Sequence, residues 1–332
     1  MNVAIIYTGE IRTLEKTLPY LKRNVILNKN VHLFATIQTN EFEKYKKILE
    51  NELGENIKSI VRFIKNDEWL NLQQMLLNNM QIPTHSKVYL KNGGSMIEYR
   101  QLQMSYQSLV SYEKDNNIKY DYIIRCRTDT IFTKPIDFSW LNLSEEEISF
   151  RVKFITNLFK EENLPRKKLL TYFMSTIIHQ DLLPNIENNY SMYDESPFPK
   201  EHQYINVNDP KVIDVMNANY TDNLVIALKE YIKHGSYILT IRQNLLYIVR
   251  RDFFNLIPQL SDSYGRYNFF QNEYWWNAES QFRSICACSQ LSIFNYCSLF
   301  EEKSLYEYQR DRYFNEDGSL KKKEMLYCVV RQ

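Results

Sequence analysis

The chain has 332 residues, with 41 basic and 40 acidic side chains and a formal charge of +1 at neutral pH. This length predicts one large domain or two small ones with a sizeable core, and the charge balance argues against a nucleic-acid partner. The chain has only seven glycines and neither a GxGxxG nor a GxxxxGK motif, which argues against a glycine-rich phosphate cradle. A phosphorylated ligand would therefore have to be bound by side chains or through a metal ion.

Alternating apolar segments in the first part of the chain predict an α/β sheet. Strand patterns are found at Val3–Tyr7, Val31–Ile37, Ile60–Ile64 and Tyr122–Arg125. Helical patterns lie between them, from about Leu14 to Leu27, Glu41 to Leu53, Trp69 to Asn79 and Met96 to Lys114. Because strands and helices alternate, we expect one sheet flanked by helices, with right-handed crossovers.

The residues directly after the first strand form a candidate ligand-binding turn. Thr8, Gly9 and Glu10 are predicted as this turn, and Arg12 follows it. Ligands of open α/β sheets collect at the carboxyl ends of the strands, so Gly9 and Arg12 lie where a nucleotide would bind. The alternative interpretation, equally well supported by these residues alone, is a glycine turn with a surface arginine.

The stretch from Tyr120 to Trp140 changes from an apolar strand to charged residues within a few positions. Arg125, Arg127 and Asp129 alternate with smaller residues, so at strand spacing they share one face. An acid and two bases at the end of a buried strand indicate a site for an anionic ligand and a metal ion. The alternative is a structural arginine–aspartate pair that closes the strand.

The second part of the chain has a weaker pattern. Strands are predicted for YILTIR and LLYIVRR, a helix is predicted to end at Gly235, and residues 180–220 are rich in loop-forming residues. Because no repeat or low-complexity linker separates two domains, we predict a single domain with an elaborated C-terminal half.

An aromatic segment near residues 263–287 precedes one further candidate residue. Glu279 follows the sequence WWNA and opens an apolar helical pattern. The aromatic rings would suit the walls of an acceptor site, and core packing explains them equally well. A carboxylate in the first turn of a helix is also favoured by the helix dipole, which is the structural alternative for Glu279.

Cysteine usage and hydropathy predict the compartment. The five cysteines are scattered and odd in number, which predicts reduced thiols in a reducing compartment. The chain starts with a short apolar run and no basic segment, which predicts a first strand rather than a signal peptide. No apolar run approaches the roughly 20 residues that span a bilayer. We therefore predict a soluble cytoplasmic protein without an integral membrane segment, with peripheral membrane association left open.

With VAIIYTGEIRT near its start and YDYIIRCRTDTIF in its middle, the chain resembles GT-A glycosyltransferases from bacterial and large-virus gene sets for surface polysaccharides. The resemblance covers about residues 1–140, and WWNAESQF adds a looser similarity to the acidic motif of that superfamily. It implies a GT-A-like, Rossmann-like mixed sheet flanked by helices. It also implies one catalytic domain over residues 1–332, with a nucleotide-sugar half (1–140) and an acceptor half (141–332).

The resemblance implies transfer of a sugar from a UDP- or GDP-sugar donor to a glycan or other hydroxyl acceptor. The implied donor-binding residues are Thr8, Gly9, Arg12, Arg125 and Arg127, and the implied catalytic residues are Asp129 and Glu279. Asp129 matches the metal-binding aspartate, and bound Mn²⁺ or Mg²⁺ would stabilise the departing diphosphate. Glu279 matches the base of inverting members.

Arg127 departs from the family pattern, because it stands where a DxD motif has its first aspartate. Three possibilities therefore stay open: two carboxylates bind the metal ion, Asp129 binds it alone, or no metal ion is bound. Two other functions stay open as well, a non-catalytic nucleotide-sugar or carbohydrate binding protein and a sugar-phosphate nucleotidyltransferase. The nucleotidyltransferase ranks last, since that class uses a glycine-rich loop after its first strand. For a viral protein, the predicted location is the host cytoplasm.

Overall fold

The structure is a computed structural model of the chain. It describes residues 1–26, 30–79, 84–132, 135–136, 144, 146, 237–242, 246–255, 257–258, 278, 282, 292–295 and 327–329. The chain falls into two compact units. The first combines Met1–Asp137, Leu245–Arg266 and Lys303–Gln332, and the second combines Phe138–Asn244 and Tyr267–Glu302.

A mixed sheet forms the centre of the first unit. The described strands are β1 (Val3–Glu10), β2 (Val31–Gln38), β3 (Ile57–Arg62), β4 (Tyr122–Arg127), β5 (Thr130–Phe132), β6 (Tyr237–Arg242), β7 (Leu246–Arg250), β8 (Ser292–Asn295) and β9 (Tyr327–Val329). In the first unit the order is β3-β2-β1-β4-β7, where the first four strands are parallel and β7 is antiparallel to β4. Strands β5 and β9 form a separate antiparallel pair. In the second unit, β6 and β8 pair in parallel.

Helices connect the parallel strands. They are α1 (Leu14–Asn24), α2 (Phe42–Leu53), α3 (Asp67–Asn79), α4 (Thr84–Asn92) and α5 (Ser95–Asn116), and a short helix α6 (Arg251–Phe254) follows β7. The 22-residue helix α5 packs on β1, β2 and β3. It ends at Asn116, because the next residue, Asn117, has a left-handed backbone (φ 51°). Among the helices that the structure describes, none has the length and apolar character to cross a membrane.

The two central strands are buried along almost their whole length. Six consecutive residues of β1, from Val3 to Thr8, are buried, and β2 buries five in a row from Leu33. Such continuous apolar runs are typical of parallel strands that are covered on both faces. The predicted fold class, α/β with a mixed sheet flanked by helices, is confirmed.

Several predicted boundaries needed correction. The residues predicted as a turn, Thr8 to Glu10, continue β1, because they pair with Thr36, Ile37 and Gln38 of β2. Strand β3 begins at Ile57 rather than Ile60, and α1 ends at Asn24. Helix α4 is absent from the sequence prediction because its apolar residues follow no helical stripe: Leu90 is buried, whereas Val88 and Tyr89 are exposed.

Candidate functional site

The predicted site residues from two distant parts of the sequence meet at one edge of the sheet. Strands β1 and β4 are parallel neighbours, so their carboxyl ends lie side by side. Thr8 is in register with Arg127, and the next amide, that of Thr128, donates to the Thr8 carbonyl at 3.2 Å. The carboxyl edge of β1 and β4 is therefore the candidate site, at the position where open α/β sheets bind ligands.

Gly9 allows the turn after β4 to approach β1 closely. Its backbone has φ +144°, a conformation that favours glycine, and an added Cβ would lie 2.7 Å from Thr128 Oγ1. That hydroxyl donates to the Glu10 carbonyl at 2.8 Å. The described contacts of Gly9 thus assign it a structural role, and its predicted role in donor binding stays a prediction.

Two hydroxyl groups also bind the backbone of the same turn. The Thr128 carbonyl accepts hydrogen bonds from Tyr7 Oη at 3.2 Å and from Thr17 Oγ1 at 2.8 Å. Burial raises the pKa of Tyr7, so its hydroxyl stays neutral and donates. The backbone just before Asp129 is consequently fixed by two elements, β1 and α1.

Arg127 and Asp129 form a two-pronged ion pair at the end of β4. Arg127 Nε donates to Asp129 Oδ1 at 3.0 Å, and Nη2 donates to Oδ2 at 2.7 Å. The Asp129 side chain is 4% exposed and that of Arg127 is 25% exposed. The strand itself ends at Arg127, so Asp129 belongs to the following turn and reaches Arg127 by that route rather than by strand alternation.

Arg125 is a fully buried arginine without a hydrogen bond to the described residues. Its closest acidic partner is Glu98 of α5, with Nη2 and Oε1 3.5 Å apart. Thr8 Oγ1 is also buried and makes no hydrogen bond within the described part of the chain. Since arginine stays charged in proteins, buried donors of this kind need acceptor atoms to offset their desolvation. Oxygen atoms of an anionic or sugar ligand would meet that need.

Helix α5 contributes polar residues that the sequence prediction does not include. Glu98, Gln101 and Ser105 are spaced by three and four residues, so they share one helical face. Ser105 Oγ lies 2.6 Å from Thr36 Oγ1, and Gln101 Nε2 donates to Gln38 Oε1 at 3.2 Å. A polar stripe on a helix that must cover an apolar sheet is the sequence signal that would identify them.

Two predicted site residues remain, Arg12 and Glu279. Arg12 lies in the loop after β1 and is exposed; its Nε donates to Glu10 Oε2 at 3.0 Å, and its Nη2 contacts the same oxygen. Apart from Ala278 and Phe282, which are buried, the aromatic segment lies outside the described residues, and so does Glu279. The predicted role of Glu279 as a base therefore stays a prediction.

Cys126 lies between the two strand arginines in sequence but on the opposite face of β4. It is buried and free, and burial raises the pKa of its thiol to about 12. A thiol with this pKa stays protonated at neutral pH and is a poor nucleophile. Cys126 is therefore a core residue and no part of the candidate chemistry.

The described residues of this site do not fit a divalent metal ion. Mn²⁺ and Mg²⁺ prefer several oxygen ligands, and Asp129 offers one carboxylate whose two oxygens both accept hydrogen bonds from Arg127. Across the part of the chain that the structure describes, no group of three His, Cys, Asp or Glu side chains is placed to hold a metal. Among the described residues, this edge therefore offers a ligand the guanidinium groups of arginine rather than a set of carboxylates.

No protein-family model matches the chain, and a comparison with curated proteins finds no match. Among solved structures, the chain is similar to core-mannan synthase A (CmsA/Ktr4) from Aspergillus fumigatus in its Mn/GDP form. The identity is 14% over 89% of this chain and 73% of that chain, with a TM-score of 0.34. A second similar structure is the mannosyltransferase Ktr4p from S. cerevisiae in complex with GDP. Its identity is 14% over 85% of this chain and 65% of that chain, with a TM-score of 0.30.

Proposed function

We propose that this chain is a glycosyltransferase that moves a sugar from a nucleoside-diphosphate donor of the UDP- or GDP-sugar class to a hydroxyl of a glycan acceptor. The observation that carries the proposal is the convergence of Thr8, Arg125 and Arg127 on one face at the carboxyl edge of two parallel strands. Ligands of open α/β sheets bind at this edge, and arginine is suited to phosphate oxygens. The sequence resemblance to GT-A transferases supports the same reaction.

Each group would have a defined task in this reaction. The N–H groups of Arg127 that Asp129 does not engage would donate to oxygens of the departing diphosphate and stabilise its developing charge. Arg125 and Thr8 would donate to deeper oxygens of the donor, and Arg12 would bind at the rim. Glu279 would accept the proton of the attacking hydroxyl if the reaction inverts the sugar. We propose that residues 1–332 act as one catalytic domain, with residues 1–140 on the donor side and 141–332 on the acceptor side.

A non-catalytic nucleotide-sugar binding protein is the second candidate function. It is favoured by the Arg127–Asp129 pair, because both oxygens of that carboxylate are engaged by Arg127 rather than open to a reacting group. Such a protein would bind a nucleotide sugar with the same arginines and would release no nucleoside diphosphate.

The test is a panel of nucleotide sugars, read by binding and by release of nucleoside diphosphate with and without candidate glycan acceptors. We expect at least one donor to bind and to be turned over, and Arg127→Ala to reduce both by about tenfold or more. Arg23→Ala is the control, because Arg23 lies on the exposed surface of α1 against Tyr20. Binding without turnover would support the second candidate, and no binding of any donor would contradict both.

A further inference from the structure

The Arg127–Asp129 pair exposes its arginine side chain more than its aspartate side chain. The Asp129 side chain is 4% exposed and both of its carboxylate oxygens accept from Arg127, whereas the Arg127 side chain is 25% exposed. A guanidinium has five N–H donors, and this pair uses two of them. The three remaining N–H groups, two on Nη1 and one on Nη2, make no hydrogen bond to the described residues.

A metal ion at Asp129 would conflict with this arrangement. The ion would have to bind an oxygen that already accepts a charged N–H, and its own charge would be repelled by the guanidinium beside it. Release of Arg127 would free the carboxylate, but the turn that carries Asp129 is fixed through Thr128 by Tyr7, Thr17 and the Glu10 carbonyl. The backbone that carries the carboxylate is therefore held beside Arg127, and the carboxylate meets Arg127 from there.

We propose that Asp129 is a positioning residue that aims Arg127 at the diphosphate, and that the chain binds a nucleoside diphosphate without a divalent cation. This inference rests on the proposed donor class. The planar guanidinium would offer its free N–H groups to two phosphate oxygens, as arginine does at bidentate phosphate sites. Fixing its orientation in advance lowers the entropy lost when the ligand binds.

The same ion-pair geometry at the other end of β4 supplies a matched control. Arg251 donates to Glu113 through Nε at 2.9 Å and Nη2 at 2.7 Å. The Arg251 backbone amide donates a hydrogen bond to the Asp121 carbonyl. This places the pair at the amino end of β4, away from the candidate edge. Glu113→Gln therefore breaks a pair of equal geometry that lies outside the candidate site.

The experiment measures the affinity of UDP and GDP for the full chain by calorimetry, in EDTA and in MnCl₂. We expect the affinity of the wild type to agree within about twofold in the two buffers, and Arg127→Ala to weaken it about tenfold or more in both. Asp129→Asn, which keeps the shape but loosens the pair, should weaken it about threefold to tenfold in both. Glu113→Gln should leave it unchanged. Arg127→Lys, which keeps the charge but not the planar fork, provides a second variant if Arg127→Ala does not fold.

Two different results would overturn the inference. If the wild type binds only in MnCl₂ and Asp129→Asn abolishes the effect of the metal, Asp129 is a metal ligand; the proposed donor class then stands and the inference fails. If the folded wild type binds neither nucleotide in either buffer, the proposed function fails and the inference with it. Circular dichroism of each variant confirms that a loss of affinity is measured on folded protein.

Discussion

The side chain of Thr128 occupies the space that a side chain on Gly9 would need. The Thr128 hydroxyl lies 2.7 Å from the position of a Cβ on Gly9, and it donates to the carbonyl of the next residue, Glu10. Two segments that are far apart in sequence are thereby joined at the edge where Arg127 and Asp129 lie. A change at Gly9 should consequently affect the turn after β4 as well as β1.

We predict that Gly9→Ala lowers the free energy of unfolding by about 2 kcal/mol or more, because it combines an unfavourable φ with a steric clash. Urea denaturation measures this change. Gly94→Ala is the control, since Gly94 has φ −82° and an added Cβ meets no atom within 4 Å. Thr128→Ala in the Gly9→Ala background should recover part of the loss, and strictly additive effects would contradict the proposed clash.

A second prediction concerns the buried charge of Arg125. Glu98→Gln removes the acidic partner at 3.5 Å and leaves the guanidinium buried without a counter-charge. We expect a loss of about 3 kcal/mol in the free energy of unfolding. The double variant Arg125→Met/Glu98→Gln should be more stable than Glu98→Gln alone, because it no longer buries a charge.

The control for this cycle is Glu52→Gln, which removes the partner of Lys22 in an exposed pair and should change stability little. Urea denaturation of the wild type, Glu98→Gln, Arg125→Met and the double variant gives the coupling between Arg125 and Glu98. A double variant that is less stable than Glu98→Gln would show that Arg125 stabilises the fold without its acidic partner.

The pH dependence of stability should carry a contribution from Tyr7. Burial raises the pKa of Tyr7 in the folded state, whereas an unfolded tyrosine ionises near pH 10. The contribution of Tyr7 to the free energy of unfolding is therefore complete below pH 10. It is lost as the pH rises further, because the unfolded chain then releases the Tyr7 proton and the folded chain keeps it. Tyr7→Phe should reduce the alkaline slope of the unfolding free energy by about 1.4 kcal/mol per pH unit.

Thr17→Val is the matched control for that measurement. It removes the second hydrogen bond to the Thr128 carbonyl without removing a group that ionises. We expect it to lower stability by about 1 kcal/mol at every pH and to keep the slope of the wild type. Equal slopes for wild type and Tyr7→Phe would mean that Tyr7 ionises in the folded protein.

Cys126 should resist alkylation in the native state. Its thiol is buried and its pKa is raised to about 12, so the reactive thiolate is scarce at pH 8. Iodoacetamide treatment followed by peptide mass spectrometry should label Cys126 in urea but not in buffer. Comparable labelling of this peptide in buffer would show that β4 opens to solvent.

Local patterns predicted the sheet because its central strands are continuous apolar runs and most of the helices between them have an apolar stripe. Val3–Tyr7 and Tyr122–Arg125 have the continuous apolar character of covered parallel strands, and both belong to one sheet. The extension of β1 through Glu10 was predicted wrongly, since glycine after a strand usually indicates a turn. Here the partner strand β2 also continues to Gln38, and tertiary pairing overrides the local preference.

The candidate site was predictable only in part. Arg127 and Asp129 were identified by their position after an apolar strand. They were interpreted either as a ligand site or as a structural pair, and in the structure their side chains are in contact. The contact between Glu98 and Arg125 was not predicted, because it depends on how α5 crosses the sheet. Helix periodicity identifies the residues on one face, but not the strand residue beneath each of them.

The antiparallel strand β7 has a consequence for synthesis of the chain. Strand β4 ends at Arg127 and β7 begins at Leu246, 119 positions later, so ribosomes that add about 5–20 residues per second leave one edge of β4 unpaired for roughly 6–24 s. Unpaired apolar edges attract other strands, and inward-pointing charges oppose such pairing. Arg125, which is buried and in register with Tyr247 of β7, places such a charge on this edge. A chain truncated before Leu246 should therefore aggregate faster when Arg125 is replaced by methionine, as sedimentation would measure.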